Sequence, residues 1–186
     1  MSRQITVYCD GACTANNDKG LKDPSLRHAA YGIFVGDDHP WNEGTCIPSG
    51  EKATNQVAEI SAVHCALQKA LSDGNLDKLI IKTDSKYVCD MLTKWIYSWI
   101  RLGWKRPGDA PIQNLELIQY TYRTLVDVYA CLGKENVQFV HVRGHGKEPK
   151  GIDKDDERWQ DWYGNMMADK LASSAAQQKR ADLSVL

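Results

Sequence analysis

Lys78-Leu-Ile-Ile-Lys-Thr-Asp84-Ser-Lys-Tyr-Val88 is the stretch that decides the fold. A short apolar run stops at Asp84, and Ser85 opens a pattern in which Tyr87, Val88, Met91, Leu92 and Trp95 recur at three- and four-residue steps. An apolar helical pattern precedes this strand as well. Strand–helix–strand at such spacing needs a crossover, so this part of the sheet is expected to be parallel. A carboxylate at the carboxyl end of a buried strand stands where open α/β sheets hold their ligands, although Asp also caps helices for purely structural reasons. Ile5-Thr-Val-Tyr-Cys-Asp10-Gly11 repeats the arrangement, a strand running into Asp and then a turn residue. If the two strands are neighbours, two carboxylates converge at one edge of the sheet.

Working outward, residues 3–9 alternate as a strand, and residues 11–29 form a polar loop with Asn16-Asn17, Gly20 and Pro24. Residues 30–35 and 41–47 complete an antiparallel meander around the turn at Gly36. From Thr54, the spacing of Val57, Ile60, His64, Leu67 and Leu71 predicts a helix that Gly74 ends. Downstream, residues 103–108 are a loop. Asn114 is placed to cap a helix with the stripe Ile118, Tyr122, Leu125, Tyr129 and Leu132, closed by Gly133. Residues 137–142 make a fifth strand, residues 144–158 a charged loop, and about 165–176 a last helix with a polar tail expected to fray. The expected architecture is one α/β domain over residues 1–178. It has a mixed five-stranded sheet, three antiparallel strands then two parallel, with helices packed on it, and residues 179–186 form the tail.

At 186 residues the chain holds one full core rather than two. With 42% hydrophobic and 25% charged residues it has the balance of a globular protein, with neither a membrane span nor a signal peptide's pattern. The six cysteines lack CxxC spacing, and Cys65 and Cys131 fall within apolar helical patterns. Buried free thiols and a reducing compartment, cytoplasmic or nuclear, are expected. A net charge of −1 excludes wrapping nucleic acid by bulk positive charge but permits a local basic patch.

The acids carry the chemistry. Glu59 lies early in the first helix, and Asp169 shares a face of the last helix with Asn165, one turn before it. Singly, each is an ordinary solvated acid. Together with Asp10 and Asp84 they make an oxygen-rich site suited to Mg²⁺ or Mn²⁺ rather than zinc. The reaction that needs two such ions close together is in-line displacement at a phosphodiester. His145 stands on a flexible Gly-flanked loop after the last strand, where it would move protons near neutral pH. His141 reads as a structural mid-strand residue. A second constellation spans residues 94–106, with four cations, no acid, and Trp95, Trp99 and Trp104 interleaved. It reads either as a core-packing stripe or as a groove where aromatics meet sugars and bases and cations meet phosphates.

These residues fall into motifs: Tyr-Cys-Asp10-Gly, Thr54-Asn-Gln-Val-Ala-Glu59, Thr83-Asp84-Ser, Lys94-Trp-Ile with Gly-Trp104-Lys105, Gly144-His145-Gly, and Gly164-Asn165 through Ala168-Asp169 to Leu171-Ala. In combination they resemble type 1 ribonuclease H from Ile5 to about Ala176. The resemblance implies an endonuclease that cuts the RNA strand of RNA/DNA hybrids and leaves 5′-phosphate and 3′-hydroxyl ends. Asp10, Glu59, Asp84 and Asp169 would hold two Mg²⁺ ions, for which Mn²⁺ substitutes, and His145 would assist turnover. It further implies that Asn16, Asn55 and Gln56 meet the minor groove and that Lys52, Thr54 and Asn114 hold a phosphate of the DNA strand. Trp95 and Trp99 would flank DNA sugars, with Trp104 and Lys105 in the same binding segment. Telling RNA from DNA this way relies on the 2′-hydroxyl as donor and acceptor. A monomer free of any membrane is expected.

Three departures from that pattern stand out. The loop between Asn16 and Ala30 is longer than the family's compact turn. His145 and Asp169 stand 24 positions apart, with residues 147–162 as an apparent insertion. Residues 95–106 carry fewer lysines than many relatives, which predicts more salt-sensitive binding, and no hybrid-binding domain is expected before Met1. The alternatives are the same domain within a retroelement polyprotein and a catalytically silent hybrid-binding module.

Overall fold

The computed structural model describes residues 3–14, 27–48 and 53–183, with side chains as far as residue 178. Its strands are β1 (Gln4–Cys13), β2 (Ala29–Phe34), β3 (Glu43–Cys46), β4 (Lys78–Thr83) and β5 (Val137–His141). They form one mixed sheet in the order β3-β2-β1-β4-β5. β1–β2 and β2–β3 are antiparallel, whereas β1–β4 and β4–β5 are parallel, as the crossover argument required.

The helices are α1 (Asn55–Ser72), α2 (Lys86–Asp90), α3 (Ile96–Arg101), α4 (Leu115–Leu132) and α5 (Glu157–Leu183), and a π-helical turn over Met91–Trp95 joins α2 to α3. Central strands covered on both faces bury nearly every residue. Val7, Cys9, Ile33, Leu79 and Ile81 enter one core with Ile60, Val63 and Leu67 of α1 and Ile118 and Leu125 of α4. Each such side chain contributes about 1.5–3 kcal/mol by leaving water. Tyr8 and Phe34 face the other way, against Tyr163, Ala168 and Leu171 of α5. There the helix lies almost backbone to backbone on the sheet. A Cβ at Gly32 would stand 2.2 Å from the Ala168 carbonyl oxygen, and one at Gly44 would stand 2.5 Å from that of Leu171.

Several sequence expectations need correction. β1 does not end before Asp10. Its parallel pairing with β4 stops at Cys9–Thr83, but antiparallel pairing with β2 continues through Asp10–Gly32 to Cys13–Ala29. The loop expected over residues 11–29 therefore begins later, and residues 15–26 lie outside the described part. The last helix starts at Glu157, not near Asn165, and continues to Leu183 rather than ending near residue 176. Asp156 starts it by accepting the Arg158 amide at 2.9 Å, the bond of an N-cap acid. Leu71 and Cys131 end up exposed, so the buried stripe of α1 stops a turn early and Cys131 is a surface thiol. Asn114 holds the N-cap position of α4, its carbonyl accepting the Ile118 amide at 3.0 Å, but its side chain does not cap the helix: its backbone is left-handed (φ 57°) and its amide donates to Gln56 Oε1 at 2.9 Å. His141 ends β5 rather than lying mid-strand.

Candidate active site

β1 and β4 lie side by side, which brings Asp10 and Asp84 to the same edge. Asp10 is only 5% exposed; its Oδ1 accepts the Gly11 amide at 2.7 Å and its Oδ2 has no partner. Glu59 arrives from the second turn of α1. That helix is started by Thr54, whose hydroxyl accepts the Val57 amide at 3.2 Å. Glu59 accepts from Asn55 Nδ2 at 2.8 Å and from the Ser85 hydroxyl at 2.5 Å, which ties α1 to the start of α2. On α5, Asn165 Nδ2 donates to Asp84 Oδ2 at 3.3 Å, and Asp169 one turn on accepts from Ser173 at 3.3 Å.

The electrostatics show how closely the acids crowd one another. Burial, and after it the Asp84 charge, push Asp10 up to about 8; the Gly11 amide opposes this, and Asp169 and Glu59 add to the rise. Glu59 is raised by burial, with the Ser85 hydrogen bond pulling down and Asp84 pushing up. Among the described residues no three Asp, Glu, His or Cys side chains stand together as a ready-made metal cage. Glu59, Asp84 and Asp169 each accept a hydrogen bond from a neutral donor. The donor set nevertheless suits a hard divalent cation. A buried carboxylate oxygen without a partner, raised further by the charges of three other carboxylates, is the environment that oxygen-ligand ions relieve.

The histidine loop begins at the same edge. The Val142 amide donates to the Thr83 carbonyl at 3.0 Å, and His141 Nε2 lies 3.1 Å from the Asp84 carbonyl oxygen. Gly144 presses against the Asp84 carboxylate, since a Cβ there would lie 1.9 Å from Oδ2. His145 follows, exposed and left-handed (φ 50°). Sequence reasoning missed the contact of His141 with Asp84 and the bond from Ser85 to Glu59; neither has a spacing that marks it, because strand and helix ends from distant parts of the chain meet there in space.

Beside the acids, a cavity of about 650 Å³ is lined by Thr54, Asn55, Gln56, Glu59, Gln113 and Asn114. Through Gln56 and Gln113 it adjoins a smaller one of about 290 Å³ that includes Tyr87, Trp95, Trp99 and Arg106. Of the expected residues, Thr54, Asn55, Gln56, Asn114, Trp95 and Trp99 line these two adjoining cavities, to which Tyr87, Arg106 and Gln113 are additions, while Trp104 and Lys105 line neither. Trp95 and Trp99 are 6.1 Å apart as expected of one face, but Trp95 is 39% exposed while Trp99 is buried. Trp104 packs on Tyr122 at 6.1 Å, a core contact. Lys94 pairs with Asp90 at 2.6 Å and Lys105 with Asp109 at 3.1 Å, so acids beyond the segment partly neutralise it. Asn16 and Lys52 lie outside the described residues. A roomier cavity at the other end of β1 and β4 holds Arg3 with Asp73 and Lys69 with Glu43; its charges satisfy one another, far from these acids.

Comparison with known proteins agrees with this layout. The family model for RNase H matches residues 2–177. The Ribonuclease H of Novosphingobium aromaticivorans is 32% identical over 174 residues, covering 94% of this chain and 97% of that protein. The Homo sapiens Ribonuclease H1 is 30% identical over 174 residues, but the chain spans only about half of that protein's length (94% of this chain, 50% of the relative). Among solved structures, the PFV RNase H domain superposes with a TM-score of 0.66 at 24% identity, covering 95% of this chain and 96% of that one. The chain belongs to the RNase H family.

Proposed function

We propose that this protein is an endoribonuclease that hydrolyses the RNA strand of RNA/DNA hybrids and leaves 5′-phosphate and 3′-hydroxyl ends. The observation that carries the reading is the meeting of Asp10 with Glu59, Asp84 and Asp169, Asp10 being driven toward protonation by burial and then by the charges of the other three. A module that only binds has no use for acids that repel phosphate. These four carboxylates would hold Mg²⁺, two ions in the family's manner, with Mn²⁺ as substitute. When bound, the ions supply an activated water and a counter-charge for the leaving 3′-oxygen.

The chain's own groups do the rest. Asn165 and Gly144 fix Asp84 from two sides, and Ser85 and Asn55 hold Glu59. His145, outside the acids on its exposed loop, takes up and gives up protons as product leaves. Thr54, Asn55, Gln56 and Asn114 offer amides and hydroxyls to the minor groove and a DNA phosphate, with Asn16 and Lys52 in the same roles. Trp95 presents its exposed ring to DNA sugars, Trp99 backs it in the same cavity, and Trp104, packed on Tyr122, supports the segment that carries Lys105. The catalytic unit comprises residues 1–178, acting as a monomer in the cytoplasm or nucleus.

The test uses labelled hybrid, duplex RNA and duplex DNA, each with Mg²⁺ and with chelator. Cutting of the RNA strand of the hybrid alone, and only with Mg²⁺, is expected. Equal cutting of duplex RNA would refute the substrate assignment, and binding without cleavage at any Mg²⁺ or Mn²⁺ concentration would leave the silent module.

A further inference from the structure

Residues 147–162 have no part in the function proposed above, yet the end of this segment is built into the sheet. Asp161, in the second turn of α5, accepts from Lys82 Nζ at 2.6 Å and from the Tyr8 hydroxyl at 3.0 Å. Lys82 is 6% exposed and also pairs with Glu157 at 2.8 Å. In the same turn the Tyr163 hydroxyl donates to Asp37 at 2.8 Å, and its ring meets Phe34 edge-on at 5.7 Å. Trp159 stacks on Tyr163 at 4.9 Å. The first two turns of α5 are thereby fixed to β1, β4 and the turn after β2.

This anchored turn carries Trp162, whose indole N–H donates to the Gly146 carbonyl at 3.0 Å. His145 is therefore strung between two stops. Gly144 bears on the Asp84 carboxylate, and Gly146 is held by Trp162. Trp162 and Asn165 are three residues apart and share a face of α5, so one helix grips the loop with the first and Asp84 with the second.

We infer that Trp162 is a positioning residue: through the Gly146 carbonyl it holds the His145 loop over the carboxylates, and the 147–162 segment is the brace that brings it there. The inference rests on the role given to His145 in the proposed function. Trp162→Phe keeps a ring against Trp159 and Tyr163 but removes the one N–H that reaches Gly146. A neutral hydrogen bond of this kind shifts a loop equilibrium roughly two- to ten-fold.

The experiment is a two-by-two set: wild type, Trp162→Phe, His145→Ala and the double variant. It reads hybrid-cleavage kcat and KM, together with backbone amide order parameters for residues 144–147. Expected are a two- to ten-fold lower kcat with unchanged KM for Trp162→Phe, no further loss on top of His145→Ala, and order parameters falling from about 0.85 toward 0.6 or below. An equal fractional loss in both backgrounds means that Trp162 acts through something other than His145, which overturns the inference. Unchanged order parameters overturn it too, whatever the rates. If His145→Ala keeps the wild-type rate while Trp162→Phe still loosens the loop, positioning stands and the role given to His145 falls.

Discussion

Replacing Asp10 by Asn should stabilise the metal-free protein while removing its activity. In the fold Asp10 titrates near 8, against an ordinary value of 3.8. Because the folded value is raised, its contribution to stability is fully present below about pH 4 and is lost as the pH rises through about 8. Each pH unit inside that window withdraws about 1.4 kcal/mol, so roughly three units up to pH 7 amount to on the order of 4 kcal/mol. Asn escapes this loss and still accepts the Gly11 amide through its own oxygen. Its new NH₂ replaces a buried oxygen without a partner and gives part of the gain back. A net gain of about 2–3 kcal/mol at pH 7 is expected, or roughly 4–12 °C in Tm for a chain of this size. The assay is thermal unfolding of both proteins in chelator from pH 4 to 8: the wild type should lose stability with pH and the variant should lose less. Mg²⁺ at a hundred times its Kd should then return about 2.7 kcal/mol to the wild type and much less to the variant. A variant that melts at or below the wild type at pH 7–8 would refute the charge penalty that burial and the neighbouring acids place on Asp10.

Asp84→Asn should lose hybrid cleavage below detection while keeping the slope of log affinity against log salt, because the phosphate contacts proposed above belong to the adjoining trough; a shallower slope would place Asp84 in binding. Gly144→Ala drives a methyl into the Asp84 carboxylate and should lower kcat about 10²-fold with the fold intact; an unchanged kcat would show that the position of Asp84 is not critical. Lys82→Met leaves Asp161 without its cation and should destabilise by about 1–3 kcal/mol in urea unfolding; an unshifted midpoint would mean that the α5 anchor rests on the aromatic contacts alone.

The alternation of β1, the apolar run of β4 and the three-four spacing of α1 and α4 were legible because burial imposes those patterns directly. So was the pairing of Asp10 with Asp84, which needs only neighbouring parallel strands. The end of β1 was not legible: the residues after Asp10 look like a turn, and only their pairing with β2 keeps them extended. The start of α5 was hidden for a related reason. Glu157 to Asp161 carries no apolar stripe, and its helix is secured by Lys82 and Tyr8, over 70 residues away in sequence. Cys131 and Leu71 mislead because an apolar residue on a helix need not face the core. His141 and Trp162 gain their significance from a single contact each, which no local pattern encodes.

Gly32 is the residue paired across the sheet with Asp10, and its bare Cα touches the carbonyl of Ala168, the residue before Asp169. The gap between those two acids is therefore gauged by main chain resting on main chain, with no side chain as a shim. Side chains can repack around a substitution, but two backbones in contact cannot come closer or be padded without moving the whole of α5. Any residue other than glycine at position 32 would lift the helix by more than an ångström and carry Asp169 away with it. The spacing of the acids is thus insensitive to drift in the surrounding core and intolerant at this one position.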